Sequence, residues 1–269
     1  MEILKSLILG IVQGLTEFIP VSSSGHLILF MHFLDVEMPG MTFEVFVHLG
    51  SLVAVIIYFR RDLVELLKSI VFFKDKEYQQ NRKTCLWLLI ATLVTGVFGF
   101  LFKDIFENLF QNPLLVACMI GVTGLILFFS DKIPEQKNSK LRTPNSELRT
   151  PLFIGLGQAL AITPGLSRSG TTITFALLAG LDRKSAATFS FLLSIPAIIG
   201  ANLSEFKSLL HLDSSLILSY LIGFFAAFIS GYIVIKWLLK LVINAKLRYF
   251  SYYCWGVAVL CVILIMGGF

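Results

Sequence analysis

Apolar residues run along this chain in long stretches, at 43–59, 85–102, 113–130, 186–204, 214–236 and 249–268. A helix needs about 20 such residues to cross the hydrocarbon core of a bilayer, so each stretch is predicted to span a membrane. Two further stretches, 3–34 and 152–181, are apolar at both ends but interrupted in the middle by Pro, Ser and Gly. Neither half of an interrupted stretch is long enough to span comfortably.

The polar intervals between the runs set direction. Lys and Arg concentrate in 60–84, 131–151 and 236–248, and basic loops of this kind stay on the cytoplasmic side. Two spans separate the first interval from the second, which agrees with a shared side. Two spans and the broken stretch 152–181 separate the second from the third, so that stretch must enter and leave on the cytoplasmic face. Arg183 and Lys184 at its exit agree. By the same count 3–34 lies on the outer side, and its exit, Asp35 to Met41, holds two acids and no Lys or Arg.

Composition reinforces this picture. The 269 residues are 56% hydrophobic and 14% charged, with a mean hydropathy of +0.83, whereas soluble domains are about a quarter charged. The net charge of +5 bears on orientation rather than on an acidic partner. No basic helix face or aromatic platform suggests nucleic acid. Cys85, Cys118, Cys254 and Cys261 lie in apolar runs without C-x-x-C spacing, as buried or lipid-facing thiols do. Lys5 before an apolar run suggests a leader, but Gln13 and Glu17 follow with no small-residue cleavage site, against that reading.

The two parts of the chain also resemble each other. At an offset of 145, Gly10, Gln13, Leu15, Ser22, Ser24 and Gly25 meet Gly155, Gln158, Leu160, Ser167, Ser169 and Gly170. The prediction is therefore an all-α integral membrane protein of six transmembrane helices plus two re-entrant helical hairpins. The hairpins at 3–34 and 152–181 head repeats 1–130 and 152–269, joined by a cytoplasmic linker, 131–151. Three spans per repeat is odd, so the second copy is inverted, and two broken hairpins entering from opposite faces build a site near the middle.

Irregular backbone and ionisable groups at membrane depth mark function. Gln13 and Glu17 are four apart, on one helical face, and Pro20 stops that helix. Ser22, Ser23, Ser24 and Gly25 open the next half-helix, where free backbone N–H groups and hydroxyls favour an anion, and His26 lies in its first turn. In the second stretch Ser167, Ser169, Thr171 and Thr172 offer hydroxyls around Gly165 and Gly170. Arg168 stands alone as a cation inside an apolar stretch away from a loop edge. A guanidinium beside two helix N-termini suits a phosphate, which it can hold through two oxygens. Glu44 and His48 share a face of the next span and either stand behind the site residues or, the favoured reading, line the outer vestibule.

The segments QGLTEFIPVSSSGH (13–26) and PGLSRSGTT (164–172), with TFEVFVHLGSLVAV (42–55) and FSFLLSIPAIIGA (189–201), resemble the undecaprenyl-pyrophosphate phosphatase family. These are the integral-membrane enzymes linked to bacitracin resistance. The resemblance covers nearly the whole chain. It implies hydrolysis of a C55 polyprenyl diphosphate to the monophosphate and inorganic phosphate. The site would face the outer side of a bacterial cytoplasmic membrane, recycling the lipid carrier of cell-wall synthesis. The family pattern has Glu or Gln four positions before a Glu; Gln13 is the weaker ligand of the two options.

The residues suit that chemistry. Arg168, the turn at Ser22, Ser24 and Gly25, and that at Ser167, Ser169, Gly170 and Thr172 would bind the phosphates. Glu17 with Gln13 would hold a divalent ion through oxygen alone, Mg²⁺ first and Ca²⁺ as a substitute. Ser23 is the favoured nucleophile, with His26 or Glu17 handling its proton; a metal-bound water, or His26 as phosphate acceptor, remains open. The expected partners are a polyprenyl diphosphate and membrane lipid, with room for a homodimer. The alternative is a secondary transporter or lipid flippase, since inverted repeats with broken helices also build transporter sites.

Overall fold

The breaks foreseen at Pro20 and Pro164 divide both interrupted stretches into pairs of short helices. In the computed structural model, which describes residues 3–36, 42–134, 148–204, 214–244 and 246–268, the first pair is α1 (Ile3–Phe18) and α2 (Ser23–Phe33). Then come α3 (Thr42–Tyr58), α4 (Arg60–Val71), α5 (Gln79–Leu101), α6 (Lys103–Phe110) and α7 (Pro113–Ser130). The second pair is α8 (Arg149–Leu160) and α9 (Arg168–Leu178), followed by α10 (Arg183–Ser204), α11 (Ile217–Asn244) and α12 (Arg248–Met266). No strand occurs among the described residues.

Among the described residues five helices, α5, α7, α10, α11 and α12, are long and apolar enough to cross a membrane; α3 with α4 makes a sixth candidate, bent by 75°. The chain is a multi-pass membrane protein. Two expected loops prove largely helical. The basic interval 60–84 folds into α4 and the start of α5, because its Lys and Arg alternate with Leu and Val at helical spacing. Lys236 and Lys240 likewise sit inside α11, which runs well beyond the predicted end at 236. Length and apolarity located the spans, but long basic side chains at a membrane edge do not end a helix.

Each short pair leans on a span from the other side of the sequence. α1 packs on α11 and α3, and α8 packs on α5; α2 and α9 both meet α7, and α7 pairs with α12. Small residues permit these approaches. A Cβ at Gly10 of α1 would lie 2.8 Å from Ala226 of α11, and one at Gly155 of α8 would lie 2.9 Å from the Ala91 backbone of α5. Where hydrocarbon surrounds the protein, such close packing substitutes for a hydrophobic drive. The outward faces stay apolar: Phe100, Val71 and Phe73 are strongly exposed.

One end of the bundle is tied by a carboxylate. Asp131, just past α7, accepts from Arg183 Nη2 at 3.1 Å, from the Leu247 amide at 2.9 Å and from the Arg248 amide at 3.1 Å. Trp87 of α5 meets Phe189 of α10 at 6.3 Å, so the N-terminal part of α5 lies toward the same end. The described parts of the basic intervals are thus gathered at one end of the bundle.

Candidate active site

Both short pairs turn inside the bundle, and the turns touch. A Cβ on Gly25 would meet the Cα of Gly165 at 3.0 Å, and Ser169 Oγ donates to the Ile19 carbonyl at 3.3 Å. Gly165 (φ 89°) makes the second turn in a left-handed conformation, and its carbonyl accepts from Thr123 Oγ1 at 2.9 Å. That hydroxyl in turn accepts from the Ser167 amide at 3.0 Å.

The helices that leave the turns start alike. Ser22 Oγ accepts from the Gly25 amide at 3.2 Å, and Ser167 Oγ from the Gly170 amide at 3.1 Å; each is a serine cap that satisfies one free amide. The backbones differ. Ser167 is extended at φ −71°, whereas Ser22 sits at φ 74° and ψ 96°. With Asp35, Ser22 is one of two non-glycine residues of positive φ among the described residues. Such a conformation costs on the order of 1–3 kcal/mol and persists only where its surroundings impose it.

Glu17 organises the centre. Its Oε1 accepts from Arg168 Nη2 at 2.6 Å, and its Oε2 accepts from Ser23 Oγ at 2.5 Å and from Gln13 Nε2 at 2.9 Å. One carboxylate therefore links a cation from the second pair to a hydroxyl from the first. The group is buried, 7% exposed, where an unpaired charge would be untenable. Arg168 is oriented from behind by the Ser190 carbonyl, which accepts from its Nη1 at 3.3 Å. Ser51 Oγ accepts from Gln13 Nε2 at 3.3 Å, while Gln13 Oε1 has no hydrogen-bond partner. His48 Nε2 lies 3.9 Å from Glu17 Oε2.

A cavity of about 300 Å³ opens onto these groups, bordered by Glu17, Ser22, Ser23, Ser24, Ser167 and Arg168. Glu44 and His48 border it too. Ala161, Ile162, Leu166, Ala197 and Ile198 supply an apolar wall. Its rim holds Glu44 in the first turn of α3, Phe110 at the end of α6 and Asn202 near the end of α10. α10 begins at the Asp131 end, so the cavity opens toward the opposite end.

Other residues singled out from the sequence stand behind this surface. Thr172 Oγ1 bonds Ser190 Oγ at 2.6 Å and donates to the Arg168 carbonyl at 2.7 Å, so it backs the arginine rather than facing the cavity. Ser169, Gly25 and Gly170 form the turns beneath their serine neighbours. His26 is buried, with Nδ1 2.7 Å from the Ser22 carbonyl and Nε2 3.0 Å from the Tyr253 hydroxyl. Tyr253, Thr123, Ser190 and Ser51 went unnoticed in the sequence. Ser51 and Ser190 at least fall within the resembling segments 42–55 and 189–201; Tyr253 looks there like any lipid-facing aromatic.

A half-buried hydroxyl pinned to a buried carboxylate, a guanidinium across from it and two capped helix N-termini make a constellation for phosphoryl chemistry. Residues 6–260 match the protein family described as Bacitracin resistance protein BacA. The chain is 45% identical to an undecaprenyl-diphosphatase of Methanobrevibacter smithii, covering 97% of this chain and 96% of that one. Identity is 43% to an undecaprenyl-diphosphatase of Halothermothrix orenii, covering 98% of each. It is 39% to undecaprenyl-diphosphatase 1 of Shouchella clausii, covering 97% and 95%.

Proposed function

The chain belongs to the bacitracin resistance protein BacA family, and from that membership and the site we infer that it is an undecaprenyl-diphosphatase. It hydrolyses undecaprenyl diphosphate to undecaprenyl phosphate and inorganic phosphate, returning the lipid carrier to cell-wall synthesis and conferring bacitracin resistance. The observation that carries the mechanism is the Ser23–Glu17–Arg168 chain, with contacts of 2.5 and 2.6 Å.

In our reading the terminal phosphate sits at the cavity floor, against Arg168 and the turns at 22–25 and 167–170. Ser23 Oγ attacks the terminal phosphorus, its proton passing to Glu17. The new Oγ–P bond replaces the bond to the bridging oxygen, which leaves on undecaprenyl phosphate. Water then cleaves the phosphoserine and releases inorganic phosphate. Arg168 pairs with Glu17 before substrate arrives, and its fork geometry lets it serve phosphate oxygens as well. Of the two bases foreseen, Glu17 is favoured by its contact with Ser23.

Mg²⁺, or Ca²⁺ in its place, fits the donor set in a limited way. Among the described residues no three His, Cys, Asp or Glu cluster, so the protein alone offers no cage. Glu17 and Gln13 supply a carboxylate and an amide whose Oε1 is unpartnered, and turning the amide would face that oxygen to an ion otherwise held by phosphate oxygens and water. Bound there, the ion would neutralise charge on the diphosphate.

We place the protein in a cytoplasmic membrane as six spans and two re-entrant hairpins in inverted repeats, with the cavity toward the outer side. The crossed packing of α1 on α11 and α8 on α5 supports the repeat. The basic end at Asp131, opposite the cavity mouth, supports the orientation. A transporter has no need of a hydroxyl held against a carboxylate. The test is phosphate release from a polyprenyl diphosphate by the purified protein in detergent with Mg²⁺, stopped by EDTA. Substrate returned intact would reject hydrolysis.

A further inference from the structure

We infer that Tyr253, on α12, is a positioning residue for the reaction: its hydroxyl fixes the His26 imidazole, which clamps the Ser22 peptide and so aims the Ser23 hydroxyl. The inference rests on Ser23 being the attacking group, as proposed above.

His26 does not border the cavity, although Ser22, Ser23 and Ser24 all do. It is 3% exposed, and both ring nitrogens are engaged. A carbonyl can only accept, so Nδ1 carries a proton and donates it to the Ser22 oxygen at 2.7 Å. A neutral ring then presents Nε2 as an acceptor, and the Tyr253 hydroxyl at 3.0 Å must be the donor. The two rings lie parallel within 7°, their centroids 5.7 Å apart, so the phenol holds both the protonation pattern and the plane of the imidazole.

The Ser22 carbonyl is where that hold acts. It accepts from the imidazole and also from the His26 amide at 3.1 Å, which fixes the peptide joining Ser22 to Ser23. Ser22 is the residue held at φ 74°. A relaxed Ser22 would rotate that peptide and swing the Ser23 side chain away from Glu17. The ordinary assumption for a histidine three residues from a nucleophile is proton transfer. Here the proton of Ser23 already points to Glu17 at 2.5 Å, and the imidazole has no free nitrogen to take it. The second pair supports the assignment by contrast: Ser167 keeps an ordinary φ of −71°, and the position matching His26 is Thr171.

Tyr253→Phe retains the stacked ring and removes only the hydroxyl. It should lower kcat by about ten- to a hundredfold, the scale of a small misplacement of a reacting group. KM for a polyprenyl diphosphate should stay within about twofold, since the phosphates are held elsewhere. In a His26→Ala background the same change should cost nothing further, because the two act as one unit. NMR of ¹⁵N-histidine-labelled protein, with the His26 signals assigned by their loss in His26→Ala, should show the Nδ1–H form in the parent and a shift toward the other tautomer in Tyr253→Phe. An unchanged kcat in Tyr253→Phe, or a loss that adds fully to that of His26→Ala, overturns the inference while leaving hydrolysis intact. A parent protein that releases no phosphate rejects hydrolysis, and a Ser23→Ala variant that stays active rejects the Ser23 reading; in either case the tautomer in Tyr253→Phe decides the clamp by itself.

Discussion

The α1–α2 and α8–α9 pairs share a backbone plan and divide the chemistry. Both outgoing helices begin on a serine cap, Ser22 and Ser167, and both end on a left-handed residue, Asp35 at φ 48° and Gly180 at φ 91°. The closing bonds match as well: Val36 N–H to Met31 O and Leu181 N–H to Ala176 O, each 3.0 Å. Every one of these positions is related by the same offset of 145. At that offset Glu17 faces Ile162, Ser23 faces Arg168 and His26 faces Thr171. The capped turn is thus a reusable frame, while the acid and hydroxyl are confined to one copy and the cation to the other. Opposite charges then meet across the interface instead of repelling within one turn.

The sharpest way to break this division is to remove the hydroxyl that only the first pair has. Ser23→Ala should lower turnover by about four to six powers of ten, as loss of a nucleophile does, with Glu17→Gln close behind. Acid-quenched radiolabelled substrate should leave phosphoserine in the parent. Substantial activity in Ser23→Ala would return the attack to a metal-bound water or to His26.

Next comes the cation of the second pair. Arg168→Lys keeps the charge but loses the fork, and should cost about a hundred- to a thousandfold in kcat/KM while the protein still folds. Arg168→Ala should cost more, leaving Glu17 buried without its partner. Near-normal turnover in the lysine variant would reduce Arg168 to a point charge.

A smaller effect is expected where the pairs share a residue type. Gln13→Glu adds a carboxylate beside Glu17 and should lower the Mg²⁺ concentration for half-maximal activity by roughly tenfold. The matching change at Gln158, whose amide donates to Thr95 at 2.9 Å, should leave metal dependence alone. Equal metal dependence in parent and Gln13→Glu would show that position 13 does not touch the ion.

The smallest effect belongs to Thr171, the counterpart of His26. Its hydroxyl is buried and unpartnered, so Thr171→Val should hold activity within about twofold and leave thermal stability unchanged or higher by about 1 kcal/mol. A large loss of activity there would make the second turn more than a frame.

Five of the six predicted spans and both breaks were legible in the sequence because bilayer thickness and proline act locally. Glu17, Ser23 and Arg168 were legible for a related reason: polar groups in apolar stretches stand out. The helix that follows at 60–71 and the run of α11 past Lys236 were not, since basic side chains reach the membrane surface from inside a helix. Nor was the direction of Thr172, which depends on Ser190 from α10, or the partner of His26, which lies 227 positions away. Such contacts are decided by packing, and one residue of the pair gives no local sign of the other.

The ion pair that joins the two turns also has a consequence in time. Glu17 and Arg168 are 151 positions apart, and a ribosome adding about 5–20 residues per second needs roughly 8–30 s to cover that distance. Throughout that interval the Glu17 carboxylate lacks its arginine, and α11, on which α1 finally rests, has yet to be made. The candidate site is therefore complete only once the second pair has been made.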